Sequence, residues 1–299
     1  DLSVLDDTAN PGNARKYSVN GVDSSNAVDC NQLPLVAQRV AARYAMNFKE
    51  CLASTSTATV NAFDYAVAGA TVEDGSIGLA AQIARAGTLG DKDLLSVWIG
   101  TNDIIDIYTR RVAGEYTSDA QALAEAARRG AAAAGIINEK ILAVGAHAIV
   151  ITAPDMGLSP YARARLTAST PDPSAMTRLS EISNSFNGYL RVSIDPQRFD
   201  GRNFGLVFAD EAVQAINANS AGYTTYLVSP YNITDAACGS TPLLTCSNAI
   251  DTTTNLNTGG LVTGALYNTH LWASDRWLGY PAHYLLGLTA QNRLSVLPF

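Results

Sequence analysis

The stretch Leu94 to Asp103, LLSVWIGTND, constrains this chain more than any other. Its first residues are mostly large and apolar, with β-branched and aromatic types among them, and the run stops at Gly100. A short apolar run closed by glycine reads as a buried strand that ends at the carboxyl edge of a parallel sheet. In open α/β sheets that edge is where ligands bind. Thr101, Asn102 and Asp103 follow at once, so small polar groups are set beside such a crevice. The Asn102 amide is a neutral N–H donor suited to holding an oxyanion in acyl transfer. Read structurally instead, the same residues form an Asx-type turn that starts the next helix.

The remaining pattern fits the same class. Leu33 to Met46 carries apolar residues at helical spacing. Val60 to Thr71 reads as a strand followed by the small-residue turn Ala68-Gly69-Ala70, where Gly69 allows close backbone approach and its N–H is available to a ligand. Thr117 to Val144 is Ala-rich and helical, His147 to Ala153 is a second buried-strand pattern, and Pro173 to Ile194 is a helix. Phe204 to Phe208 is a short strand, and Pro281 to Arg293 closes the chain as a helix with proline in its first turn. Strands alternating with helices predict an α/β fold, a three-layer α/β/α sandwich on a central parallel sheet. One domain over 1–299 is expected, with a loop-rich excursion at about 223–264.

Composition narrows the function. The net charge of −7 offers no basic face for nucleic acid. No apolar run reaches the roughly 18–20 residues of a membrane span. Cys238 and Cys246 share one Gly/Ser/Thr/Pro-rich loop, and Cys30 and Cys51 flank a helix-like segment. Two local disulfides fit a secreted or periplasmic protein, and four scattered reduced thiols are the alternative. Without a CxxC pair, a zinc site is not expected.

Histidine occurs only at 147, 270 and 283, which sharpens the search for a base. His147 opens a predicted strand and reads as structural. His270, shortly before Asp275, and His283, in the closing helix, either pack and cap or form a base-and-orienter pair with that aspartate.

Several stretches in order resemble GDSL-type esterases/lipases of the SGNH hydrolase superfamily. DLSVLDDTAN (1–10) resembles the nucleophile block GDSLSDTGN, and DYAVAGAT (64–71) the block whose glycine donates a backbone N–H to the oxyanion hole. WIGTND (98–103) resembles the GxND block, and SDRWLGYPAH (274–283) the DxxH block. APDMGLSPYA (153–162) and the Cys238–Cys246 loop are similar to the longer secreted members. The resemblance implies Gly69 and Asn102 as oxyanion donors and Asp275 as the triad aspartate. It also implies ester hydrolysis, or acyl transfer, through an acyl-enzyme without metal or organic cofactor. Lipids, short acyl esters and carbohydrate esters are the substrates it implies, with Trp272, Trp277 and Tyr280 either lining an acyl pocket or serving as ordinary core and surface.

Two positions depart from the family. The expected nucleophilic serine falls between Asp1 and Leu2, and the expected histidine between Trp277 and Leu278; one residue inserted at each place restores both blocks. Three arrangements follow. The two positions are held by residues absent from the sequence as written, such as modified ones, with Asp1, Leu2 and Leu278 beside them. Alternatively the site is shifted, with Ser3 as nucleophile and His283 as base. In the third, the chain is a catalytically inactive SGNH-fold protein that binds carbohydrate or lipid esters.

Overall fold

The computed structural model describes residues 3–194 and 203–296. In chain order the elements begin with β1 (Leu5–Asp6), β2 (Arg15–Lys16), α1 (Val36–Arg43), α2 (Leu79–Arg85) and β3 (Leu94–Trp98). Next come α3 (Thr101–Val112), α4 (Asp119–Lys140), β4 (His147–Ile151), α5 (Pro160–Leu166) and α6 (Ala175–Ser193). The last are β5 (Phe204–Val207), α7 (Ala209–Ala218), β6 (Asn232–Ala236), β7 (His270–Trp272) and α8 (Tyr280–Val296). The described residues fall into two compact units, one drawn from 65–214 and 292–296, the other from 3–64 and 215–291.

The first unit carries a parallel sheet in the order β3-β4-β5, with Leu94 opposite His147 and Ala148 opposite Phe204. Parallel neighbours require long crossovers, and here these are helical. β4 lies in the middle, and from Ala148 to Ile151 it is buried throughout, which is why it reads as an unbroken apolar run. α4 starts cleanly because the Ser118 hydroxyl accepts from the Gln121 N–H at 3.3 Å, with Asp119 in the first turn to offset the helix dipole. α4 and α6 pack so closely that a side chain on Gly130 would collide with the backbone carbonyl of Phe186. The α/β class expected from the sequence is the one observed. None of the described helices is long and apolar enough to cross a membrane.

The second unit is poorer in regular structure. β1 and β2 form an antiparallel pair, and β6 and β7 a parallel one. Two small cores are each built around a disulfide. Cys30–Cys51 sits with Leu5, Ala14 and Leu35, and Cys238–Cys246 with Val19, Ala237 and Ala273. Asn20 links the second core to the N-terminal region, its backbone N–H and its Nδ2 both donating to the Cys246 carbonyl at 2.9 and 3.0 Å. Both disulfides match the expected pairing and are compatible with an extracellular location.

Two expectations need correction. The helix over Leu33 to Met46 is confined to α1, because Leu33 and Ala45 adopt left-handed backbone conformations at φ 48° and 53° on either side of it. The strand expected from Val60 does not form. Val60 and Phe63 are exposed, and Ala62 makes only an isolated bridge with Phe48. Within the 223–264 stretch lies β6.

Candidate active site

β3 runs into α3 through Gly100, whose φ of 120° is open to glycine and strained for other residues. The ring of Phe186 occupies the space a Cβ would need there. This abrupt strand-to-helix turn sets Asn102 in the first turn of α3, where exposed N–H groups and the dipole favour negative charge. Asn102 donates from Nδ2 to the Ala70 carbonyl at 3.0 Å. Ala70 closes a turn with Val67 at 3.2 Å, and Gly69 between them has φ +84°. Nothing lies within 4 Å of where a Gly69 side chain would project, and its N–H has no hydrogen-bond partner among the described residues. The two expected oxyanion donors thus stand on two separate turns, tied by a side-chain bond from Asn102 to the residue beside Gly69.

Beneath that turn lies a brace that the sequence did not single out. Asp103, fully buried, accepts from the Val72 N–H at 3.0 Å and from Arg129 Nη1 at 3.2 Å. Arg129, from α4, also donates to Asp106 at 2.6 Å and Glu125 at 2.9 Å. Burial lifts the Asp103 carboxyl to about 6, with Arg129 pulling the other way. The Glu125/Arg129 spacing of four on one helix was the only signal of this brace in the sequence.

Ser3, Asp275 and His283 belong to the second unit. Ser3 is buried, and its Oγ has no hydrogen-bond partner among the described residues. Asp275 is half exposed at 48% and accepts from Ser274 Oγ at 3.2 Å and from Arg276 Nη2 at 3.0 Å. His283 lies in the first turn of α8, fully buried. Burial, followed by the Lys16 and Arg39 charges, pushes its imidazole down to about 3, so it is neutral. Among the described residues no hydrogen bond joins Ser3 or Asp275 to a histidine. Leu278 is buried and its carbonyl accepts from Ser18 Oγ at 3.0 Å; Asp1 and Leu2 lie outside the described residues.

His147 opens β4 with Nε2 3.0 Å from the Asp91 carbonyl, a structural placement. Trp272 is fully buried, Trp277 stacks on Tyr17 with ring centroids 4.7 Å apart, and Tyr280 accepts from Arg39 at 3.0 Å. These are core and packing roles. No three His, Cys, Asp or Glu side chains among the described residues converge as metal ligands would.

In comparisons with known proteins, the family model described as GDSL-like Lipase/Acylhydrolase matches residues 23–255. The matched span includes Gly69 and Asn102 and excludes Ser3, Asp275 and His283. No curated protein matches the chain.

Proposed function

This chain belongs to the GDSL-like lipase/acylhydrolase family, and on that premise we propose that it is a serine ester hydrolase working through an acyl-enzyme. A serine hydroxyl is a weak nucleophile at neutral pH, so an imidazole takes its proton during attack and an aspartate holds that imidazole in the right tautomer. On the chain as written those roles fall to Ser3, His283 and Asp275. If the two departing blocks each carry one residue more, the first two roles fall to a serine between Asp1 and Leu2 and a histidine between Trp277 and Leu278. The tetrahedral oxyanion is met by the Gly69 N–H and the Asn102 amide.

The observation that supports this reading best is the open left-handed Gly69 turn to which Asn102 is bonded at 3.0 Å. Neutral N–H donors held on adjoining turns suit an oxyanion without needing a charged side chain. Small-molecule esters are the substrate class. Acyl transfer to an alcohol follows the same acyl-enzyme when an alcohol replaces water.

A second reading is favoured by one specific observation. Among the described residues the Asp275 carboxylate is engaged by Arg276 at 3.0 Å and by no histidine, as suits a protein that binds ester ligands without cleaving them.

The deciding experiment is intact and peptide mass spectrometry with and without a fluorophosphonate probe, alongside hydrolysis of a p-nitrophenyl ester. Probe mass on the peptide from Asp1 to Asn10, with turnover, supports the hydrolase and identifies its serine. Masses that match the written sequence, with no label and no turnover, establish the binding protein. In an active enzyme Asn102→Ala folds normally and loses about 100- to 1000-fold in turnover; unchanged turnover would remove Asn102 from the site.

A further inference from the structure

The bond that closes the Gly69 turn, from the Ala70 N–H to the Val67 carbonyl at 3.2 Å, sets the shape of that turn. Its place against α3 is set by the chain just beyond it. The Ala70 carbonyl accepts from Asn102 Nδ2 at 3.0 Å. Two residues on, the Val72 N–H donates to Asp103, 3.0 Å from Oδ2 and 3.3 Å from Oδ1. The Val72 carbonyl in turn accepts from the Leu79 N–H at 3.2 Å, where α2 begins. Ala70 and Val72 are both fully buried. Consecutive residues of one helical turn thus grip the same short segment, Asn102 by donating to it and Asp103 by accepting from it.

A neutral acceptor would be enough to satisfy one amide N–H. A buried carboxylate needs a counter-charge, and such a pair is a weak source of stability beside apolar groups of the same size. What the charge adds is grip, because a bond from an amide to a carboxylate is roughly twice as strong as one between neutral groups. Arg129 Nη1 holds the carboxylate at 3.2 Å and is itself anchored to Asp106 and Glu125 at 2.6 and 2.9 Å. The brace therefore runs from α4 through Asp103 to Val72, three residues beyond Gly69.

The charged groups around Asp103 are Arg129 from α4 and Asp106 from its own helix, with Glu125 and Glu73 beyond Arg129. Glu73 is paired with Arg128 at 2.6 Å, and both are about half exposed. Burial lifts the Asp103 carboxyl to about 6 against the pull of Arg129, so its hold on Val72 is near full strength at neutral pH and weakens on mild acidification.

Resting on the hydrolase reading, we propose that Asp103 is a positioning residue of the oxyanion site: through Val72 its carboxylate sets where the Gly69 N–H stands relative to Asn102. Displacing a catalytic group by about 1 Å can cost about 100-fold in rate. The oxyanion develops only on the way to the tetrahedral intermediate, so the loss falls on kcat and spares KM.

Two measurements on the whole protein test this. D103N/R129M removes the carboxylate without stranding a charge. On a p-nitrophenyl ester its kcat should fall about 10- to 100-fold, with KM within about twofold of the parent. An unchanged kcat would overturn the assignment and leave a brace that serves stability alone. Glu73→Gln breaks the exposed pair next along the same segment and should keep kcat within about twofold; a loss as large as that of the double variant would also overturn it. The second measurement reads no turnover. In backbone ¹H–¹⁵N spectra of the parent, the Val72 and Gly69 amide signals should both move with a midpoint near pH 6, and both should stay still in D103N/R129M. A Gly69 signal that does not follow this titration would overturn the assignment. An inactive parent would count against the hydrolase reading, and the Gly69 titration would still decide whether Asp103 sets the turn.

Discussion

Replacing Arg129 with methionine isolates what the buried brace contributes. Asp103 is fully buried, and its charge is balanced by Arg129 at 3.2 Å. Removing one member of a buried pair costs roughly 3–5 kcal/mol, because the other charge is stranded. The contacts to Asp106 and Glu125 are lost too, but with side-chain exposures of 41% and 19% they add only about 1 kcal/mol. At pH 8 the sum corresponds to a Tm lowered by roughly 6–12 °C for a chain of this size.

The pH dependence is the sharper part. Burial lifts the Asp103 carboxyl from 3.8 to about 6 in the folded state. A raised carboxyl contributes stability that is complete below the unfolded value and lost as pH rises through the folded one. Without Arg129 the folded value climbs further. The variant is therefore penalised fully at pH 8 and much less at pH 5, where Asp103 takes up its proton. The lost contacts to Asp106 and Glu125 leave a further residue of about 1 kcal/mol. Urea unfolding of the parent, R129M and the double variant D103N/R129M at both pH values measures this directly. The double variant, which has no charge to strand, should recover most of the loss at pH 8. Equal destabilisation of R129M at both pH values, or no recovery in the double variant, would refute the stranded-charge argument.

Lys16 is the opposite case. Its ammonium donates to the carbonyls of Gln32 and Leu33, and burial pulls it from 10.5 to about 7. Since the unfolded chain keeps the proton that the folded one sheds, parental stability should rise by up to about 3 kcal/mol between pH 7 and 9.5. Lys16→Met should flatten that rise in urea midpoints, and a rise of the same size in the variant would contradict the assignment. The disulfides close loops with separations of 21 and 8 residues. Loop closure then predicts losses of about 3.5 kcal/mol for the Cys30→Ser/Cys51→Ser variant and about 2.5 for Cys238→Ser/Cys246→Ser. Calorimetry that ranks them in the reverse order would show that chain entropy is not the governing cost.

HAIVI was legible because burial on both faces leaves an unbroken apolar run, whereas LLSVW, with Ser96 exposed, was legible from its apolar content and the glycine that follows. LLSVW and HAIVI pair in the sheet as their composition implied. The stretch from Val60 misled because apolar content was taken for burial, while Val60 and Phe63 face solvent. β1 and β2, two residues each, are too short to leave a pattern. The turns at Gly69 and ahead of Asn102 were legible because each stands in a short local block around a glycine. The Asp103–Arg129 pair could not, since its members lie 26 residues apart and nothing local to Asp103 names a partner.

Phe186 answers to two glycines at once. Its carbonyl lies where a Gly130 side chain would be, and its ring where a Gly100 side chain would be. Positions 100, 130 and 186 therefore cannot drift independently. A methyl at 130 wedges α4 from α6 and displaces the ring that fills the corner just ahead of Asn102, while a smaller residue at 186 leaves that corner hollow. A survey of random variants scored by turnover would flag Gly130 beside the residues that touch substrate, though it is a spacer in the middle of a helix. Stability measured on the same variants would separate the two.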